Sequence, residues 1–171
     1  FYHRIRGNIP VPYIVGLLSY LYLAGSVCLL ADLLSLSSTL SISLVSMVMC
    51  SNTTLTFASA TFLPWLDAYM LALFFAVLCV FFAVRLPKAG WVLAPLSLLV
   101  SLGLYPSYSE IAAILCLIVL IGDALDGLSF RPLFLHALKL LLILAVGFIL
   151  YAVSLKLLFT FTAYQPADSY N

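Results

Sequence analysis

Between Asp67 and Arg85 the sequence reads DAYMLALFFAVLCVFFAVR. From Ala68 to Val84 it carries no charge, no proline and no glycine. At about 1.5 Å of rise per residue such a run approaches the roughly 30 Å hydrocarbon thickness of a bilayer. A charge at the bilayer centre costs about 2.5 kcal/mol or more. Asp67 and Arg85 therefore mark the two ends of a membrane-spanning helix, and lipid is the solvent against which the chain is read.

The composition extends that reading to all 171 residues. Hydrophobic residues make up 65% and charged residues only 8%, and the mean hydropathy is +1.25. A soluble domain is about 45–50% apolar and about 25% charged. A soluble enzyme, a nucleic-acid binder, a disordered tail and a secreted disulfide scaffold are excluded. A net charge of +1 gives no pull on a polyanion. With charges as punctuation, further spans are predicted at about Val11–Ala31, Thr39–Phe57, Trp91–Tyr105, Ile111–Gly122 and Leu140–Thr162. The second is the weakest, crowded with Ser41, Ser43, Ser46, Ser51, Thr53, Thr54 and Thr56. Two-residue alternation is absent, which disfavours a membrane β-barrel. The expected fold is all-α, a polytopic transmembrane bundle of about six spans forming a single domain over residues 1–171, with the lipid bilayer as its first partner.

Basic loops set the orientation. Arg85 and Lys88 lie between spans three and four, and Arg131, His136 and Lys139 between five and six. Both loops fall on one side if every span crosses, and the positive-inside rule makes that side cytoplasmic. A re-entrant second span would invert the parity upstream of it. The stretch from Asp123 to Leu135 reads as a short interfacial loop, with Gly127 and Pro132 as breakers. Cys28, Cys50, Cys79 and Cys116 each sit in apolar sequence with no CxxC and read as small hydrophobes rather than metal ligands or disulfides. No metal or cofactor is expected. The chain opens on Phe1 rather than Met and lacks the pattern of a signal peptide, which reads as a piece of a longer chain.

The outward side collects the polar groups that could do chemistry. Glu110 is separated from Asp123 by 12 residues, about 18 Å of helix, so it lies below the outer surface if Asp123 lies at the inner one. An intramembrane carboxylate is a functional candidate by default, although a helix cap or an ion pair is the plainer reading. Lys156 can snorkel outward from its helix or line the same cavity. Arg4 and Arg6 suit bidentate phosphate contacts or simple interface anchoring. With Asp67, Tyr69, Tyr105 and Tyr108 they outline a wet, tyrosine-rich groove. Such a groove suits an amphiphile with a lipid tail, a phosphate and a sugar.

Three patches then resemble one family. Trp65-Leu66-Asp67-Ala68-Tyr69 opens a very apolar span that ends in Arg85. Ser101-Leu102-Gly103-Leu104-Tyr105-Pro106-Ser107-Tyr108 repeats an apolar-Gly-x-Tyr pattern, with Pro106 where Gln is usual. Phe148-Ile149-Leu150-Tyr151, followed by Lys156, is similar to a late apolar span. Together they resemble the type II glucosyltransferases associated with bacterial O-antigen modification and serotype conversion. The resemblance implies a GT-C-type glycosyltransferase of the bacterial inner membrane, with its active face periplasmic. It implies a polyprenyl-phosphate sugar donor and a cell-surface polysaccharide acceptor. It also implies that the catalytic carboxylates lie in a large outer loop upstream of Phe1. Arg4, Arg6, Asp67, Tyr69, Tyr105, Tyr108, Glu110 and Lys156 are then substrate-binding candidates. The competing reading is a transporter or flippase of lipid-linked saccharide, which would favour broken helices in two corresponding halves.

Overall fold

The computed structural model describes residues 11–51 and 63–162. Among the described residues, six helices follow one another: α1 Pro12–Leu33, α2 Thr39–Cys50, α3 Leu66–Arg85, α4 Gly90–Leu104, α5 Ser109–Leu125 and α6 Phe130–Thr162. Short 3₁₀ turns at Leu63–Trp65 and Pro106–Tyr108 lead into α3 and α5. The all-α fold expected for an apolar polytopic chain is what forms.

Among the described residues, four segments have the length and apolar character to cross a membrane: Pro12–Leu33, Leu66–Arg85, Pro106–Leu125 and Phe130–Phe161. The helices Thr39–Cys50 and Gly90–Leu104 are shorter. The expected six spans are thus four full-length ones and two short helices. For the second, the remainder of the predicted range, 52–57, lies outside the described residues.

The stretch that opened the reading is the central helix. α3 buries Leu66, Asp67, Ala68, Met70, Ala72, Leu73, Ala76, Val77, Cys79, Val80 and Ala83, on nearly every side of its axis. Alanines let neighbours come close, which is how helices pack where no hydrophobic force drives them together. α1 uses the same device. Its buried stripe is Val15, Ser19, Leu23, Ser26, Leu30 and Leu33, spaced three or four apart as one helical face requires. Ser19 and Ser26 are made harmless there by bonds back to the Val15 and Tyr22 carbonyls, 2.7 and 2.9 Å.

Helix directions follow from cross-contacts. Gly25 sits against the Phe74 ring, and Arg85 at the end of α3 reaches the end of α1, donating to the Asp32 carbonyl. α1 and α3 are therefore parallel, and between Leu33 and Leu66 the chain returns to the end where α1 began. α4 runs back beside α3. At Gly90 a Cβ would collide with the Phe82 carbonyl oxygen, so only glycine allows this approach. Gly147 of α6 gives Leu98 of α4 its place in the same way, since a Cβ there would lie 2.6 Å from Leu98 Cδ2.

The predicted loop from Asp123 to Leu135 is not a loop. α5 continues to Leu125, a tight turn with Gly127 at φ +81° follows, and α6 starts at Phe130. Pro132 falls in the first turn of α6, where a missing N–H has no helical partner to lose. The last helix consequently begins ten residues earlier than its apolar run suggests.

Candidate functional site

The bundle has two chemically distinct ends. At the end where α3 begins, three tyrosines from three elements meet. Tyr69 lies in the first turns of α3, Tyr105 caps the end of α4, and Tyr108 closes the 3₁₀ turn before α5. The Tyr69 and Tyr105 rings are 4.7 Å apart at 63°, an edge-to-face pair. The Tyr105 and Tyr108 rings follow at 5.4 Å and 59°. Tilted contacts of this kind match the positive edge of one ring to the negative face of the next.

Local sequence builds this corner. Pro106 pre-sets the 3₁₀ turn at its first position. The Tyr105 N–H bonds to the Ser101 carbonyl at 2.9 Å and the Tyr108 N–H to the Tyr105 carbonyl at 3.2 Å. The Ser109 hydroxyl donates to the Pro106 carbonyl at 2.7 Å. Just below, the fully buried Ser101 hydroxyl donates to the Ala72 carbonyl of α3 at 2.8 Å. That bond fixes the height of α4 against α3 and so brings Tyr105 to Tyr69. Sequence reasoning assigned Ser101 no role. Its only signal was a hydroxyl in an apolar helix, four residues after Ser97.

Tyr108 is buried, whereas Tyr105 is 36% exposed. The corner therefore presents two partly open rings, Tyr105 the more exposed, backed by Tyr108. Phenols offer an apolar face for C–H groups and a hydroxyl that can donate or accept.

The other candidates are placed differently. Asp67 is fully buried at the start of α3, and its carboxylate accepts the Ala68 N–H at 3.0 Å. Two positions along a helix is about 200° of rotation, so Asp67 and Tyr69 leave α3 on different sides. Glu110 is exposed. It shares a face of α5 with Ile114, Leu117 and Ile121, all exposed, while Tyr108, Ala112, Leu115 and Cys116 are buried. Lys156 is exposed on the far part of α6. Among the described residues the two ion pairs are Arg85–Asp32 and His136–Asp123, and Glu110 and Lys156 do not pair with each other. Arg4 and Arg6 lie outside the described residues. The structure thus gathers the three tyrosines, with Glu110 and Lys156 exposed on α5 and α6.

The opposite end is basic, and Arg85, Lys139 and His136 there bind groups of the protein itself. Arg85 meets the Asp32 carboxylate at 3.4 Å. Lys139 Nζ donates to the Ala83 carbonyl at 2.6 Å, capping α3 where its helical carbonyls run out. His136 Nδ1 lies 2.6 Å from Asp123 Oδ2, joining α6 to α5. The sequence reading used Asp123 as a marker of the inner surface and as the start of a loop, not as a partner of His136. Of the cysteines, Cys79 and Cys116 are buried as small hydrophobes, while Cys28 and Cys50 are exposed and line an apolar hollow beside Tyr20 and Ser46.

An apolar helical bundle with two polar ends about one membrane apart, one aromatic and one basic, defines a polytopic membrane protein. The chain belongs to the family described as glucosyl transferase GtrII, whose family model matches residues 1–171. No curated protein and no solved structure matches it. The family resemblance read from the sequence is thereby shown, and with it a glucosyltransferase class of activity.

Proposed function

We propose that this chain is part of a GT-C-type enzyme of the bacterial inner membrane that moves glucose from a polyprenyl-phosphate donor to a cell-surface polysaccharide such as O-antigen. Its tyrosine end is the periplasmic, substrate-facing end. The observation that carries this reading is the cluster of Tyr69, Tyr105 and Tyr108 in a chain of a glucosyltransferase family. The open ring of Tyr105 offers a stacking face to a pyranose, and the phenol hydroxyls offer partners to sugar hydroxyls. Arg4 and Arg6 hold donor phosphate, for which two guanidiniums have the geometry. Asp67, Glu110 and Lys156 act around the cluster as binding groups for hydroxyls and phosphate. The catalytic carboxylates belong to a loop that precedes this chain.

In the full-length enzyme, Tyr105→Ala should lower glucose transfer at least tenfold, as expected if stacking worth about 1.4 kcal/mol is lost. Transfer is measured as label passing from glucosyl polyprenyl phosphate to polysaccharide in membranes with matched protein levels. Tyr105→Phe should keep most of the activity. A normal rate in Tyr105→Ala refutes the assignment of this corner to substrate.

A further inference from the structure

The hairpin joining α5 to α6 reaches further at the basic end than the other helices do. Lys139 is held at the Ala83 carbonyl, in the last turn of α3, a 20-residue helix whose length of about 30 Å matches a hydrocarbon core. Lys139 therefore marks the hydrocarbon boundary along α6. Phe130 lies nine positions earlier, about 13 Å further along the helix. The His136–Asp123 contact holds the end of α5 at the same level, so both arms of the hairpin extend past the boundary.

What they carry there is apolar. Phe130 is 80% exposed and Phe134 56%, and their rings stack at 6.2 Å and 23°. Leu125, at the end of the other arm, is exposed too. On a helix of 3.6 residues per turn, Phe130 and Phe134 fall on one stripe with Leu138, Leu141 and Phe148. All of these are exposed. The stripe that faces lipid in the middle of α6 thus runs without interruption to the tip. Arg131 stands beside it, exposed, and the Gly127 turn with Asp126 closes the end. The interfacial zone is only about 5–7 Å thick on each side, so a straight, upright α6 would lift these rings into water. Tilt is the ordinary adjustment of a helix longer than the core, and it lowers the stripe onto the leaflet.

We propose that the first two turns of α6 are an interface-seated anchor. The Phe130 and Phe134 rings lie at the boundary between headgroups and acyl chains of the leaflet at the basic end, with Arg131 and Asp126 at headgroup level. The occupant of this apolar face is phospholipid. Its stripe is continuous with the lipid-facing stripe of the same helix, and an apolar face flanked by charge is the pattern of interfacial helices.

The test uses the full-length protein reconstituted in phosphatidylcholine vesicles. Phe134→Cys and Asp126→Cys each carry a nitroxide, in a background with every native cysteine changed to Ala. The ratio of collisions with oxygen to collisions with a water-soluble nickel chelate should be several-fold higher at position 134 than at 126. Equal ratios place the tip in water and overturn the proposal. Protection of position 134 from both colliders places it under protein and overturns it as well. Where the cysteine-free background does not fold, Phe134→Trp in the native chain serves instead. Its added fluorescence should be quenched by lipids brominated near the acyl carbonyl, and unquenched emission refutes the anchor.

Discussion

The two ends of the bundle handle polarity in opposite ways. At the basic end, Arg85, Lys139 and His136 are engaged by the protein itself, while Lys88 and Arg131 stay exposed. Arg85 closes α1, Lys139 closes α3, and His136 meets Asp123. At the other end the elements are joined by rings and a buried hydroxyl, and Tyr105 keeps part of its surface open. The end richer in cations is thus the better explained by architecture. A charge that caps a helix has its partner already, whereas a half-open aromatic corner has a face to offer.

Three substitutions, with Gly103→Ala as a control, would break or sharpen this contrast. The largest effect is expected at Gly90, where a Cβ meets the Phe82 carbonyl oxygen. Gly90→Ala should cost about 2–3 kcal/mol, read as a lower unfolding temperature in detergent. Gly103→Ala, with nothing within 4 Å of the added carbon, should be neutral or slightly stabilising, as alanine is in a helix. Equal losses at both glycines would mean that the close α3–α4 approach is not what holds that end. Next comes Lys139→Met, which keeps the stem but leaves the Ala83 carbonyl without its donor. A loss of about 1.5 kcal/mol is expected, with glucose transfer per folded molecule unchanged. Impaired transfer at full stability would move function to the basic end. The smallest effect is expected for Arg85→Gln. Its contacts to Asp32 are solvent-exposed on both sides, so the loss should stay below about 1 kcal/mol and shrink further in high salt. A loss as large as that at Lys139 would show a buried role that the exposure of Arg85 does not suggest.

Much of the fold was legible because lipid makes charge placement informative. Asp67 and Arg85 bracket α3 in sequence and lie at its two ends in space. Pro132 misled for a physical reason. Proline breaks a helix interior but is tolerated in a first turn, and sequence alone does not say which it occupies. Glu110 was grouped with Tyr108 because they are neighbours in the chain, yet two residues of helix put them on opposite faces. The contact between Tyr69 and Tyr105 spans 36 positions and depends on Ser101 and Gly90 setting the height of α4.

The sequence by itself determined that the chain is a helical membrane protein, where its main helices lie and which family it resembles. These are local or compositional properties, set by the cost of charge in hydrocarbon and the need of each backbone group for a partner within its own helix. Only the tertiary structure decided which helices run parallel, which cations are occupied and which tyrosines meet. Those depend on close approaches between residues far apart in the chain, and in a membrane such approaches rest on glycines, alanines and serines that look alike in sequence until their neighbours are known.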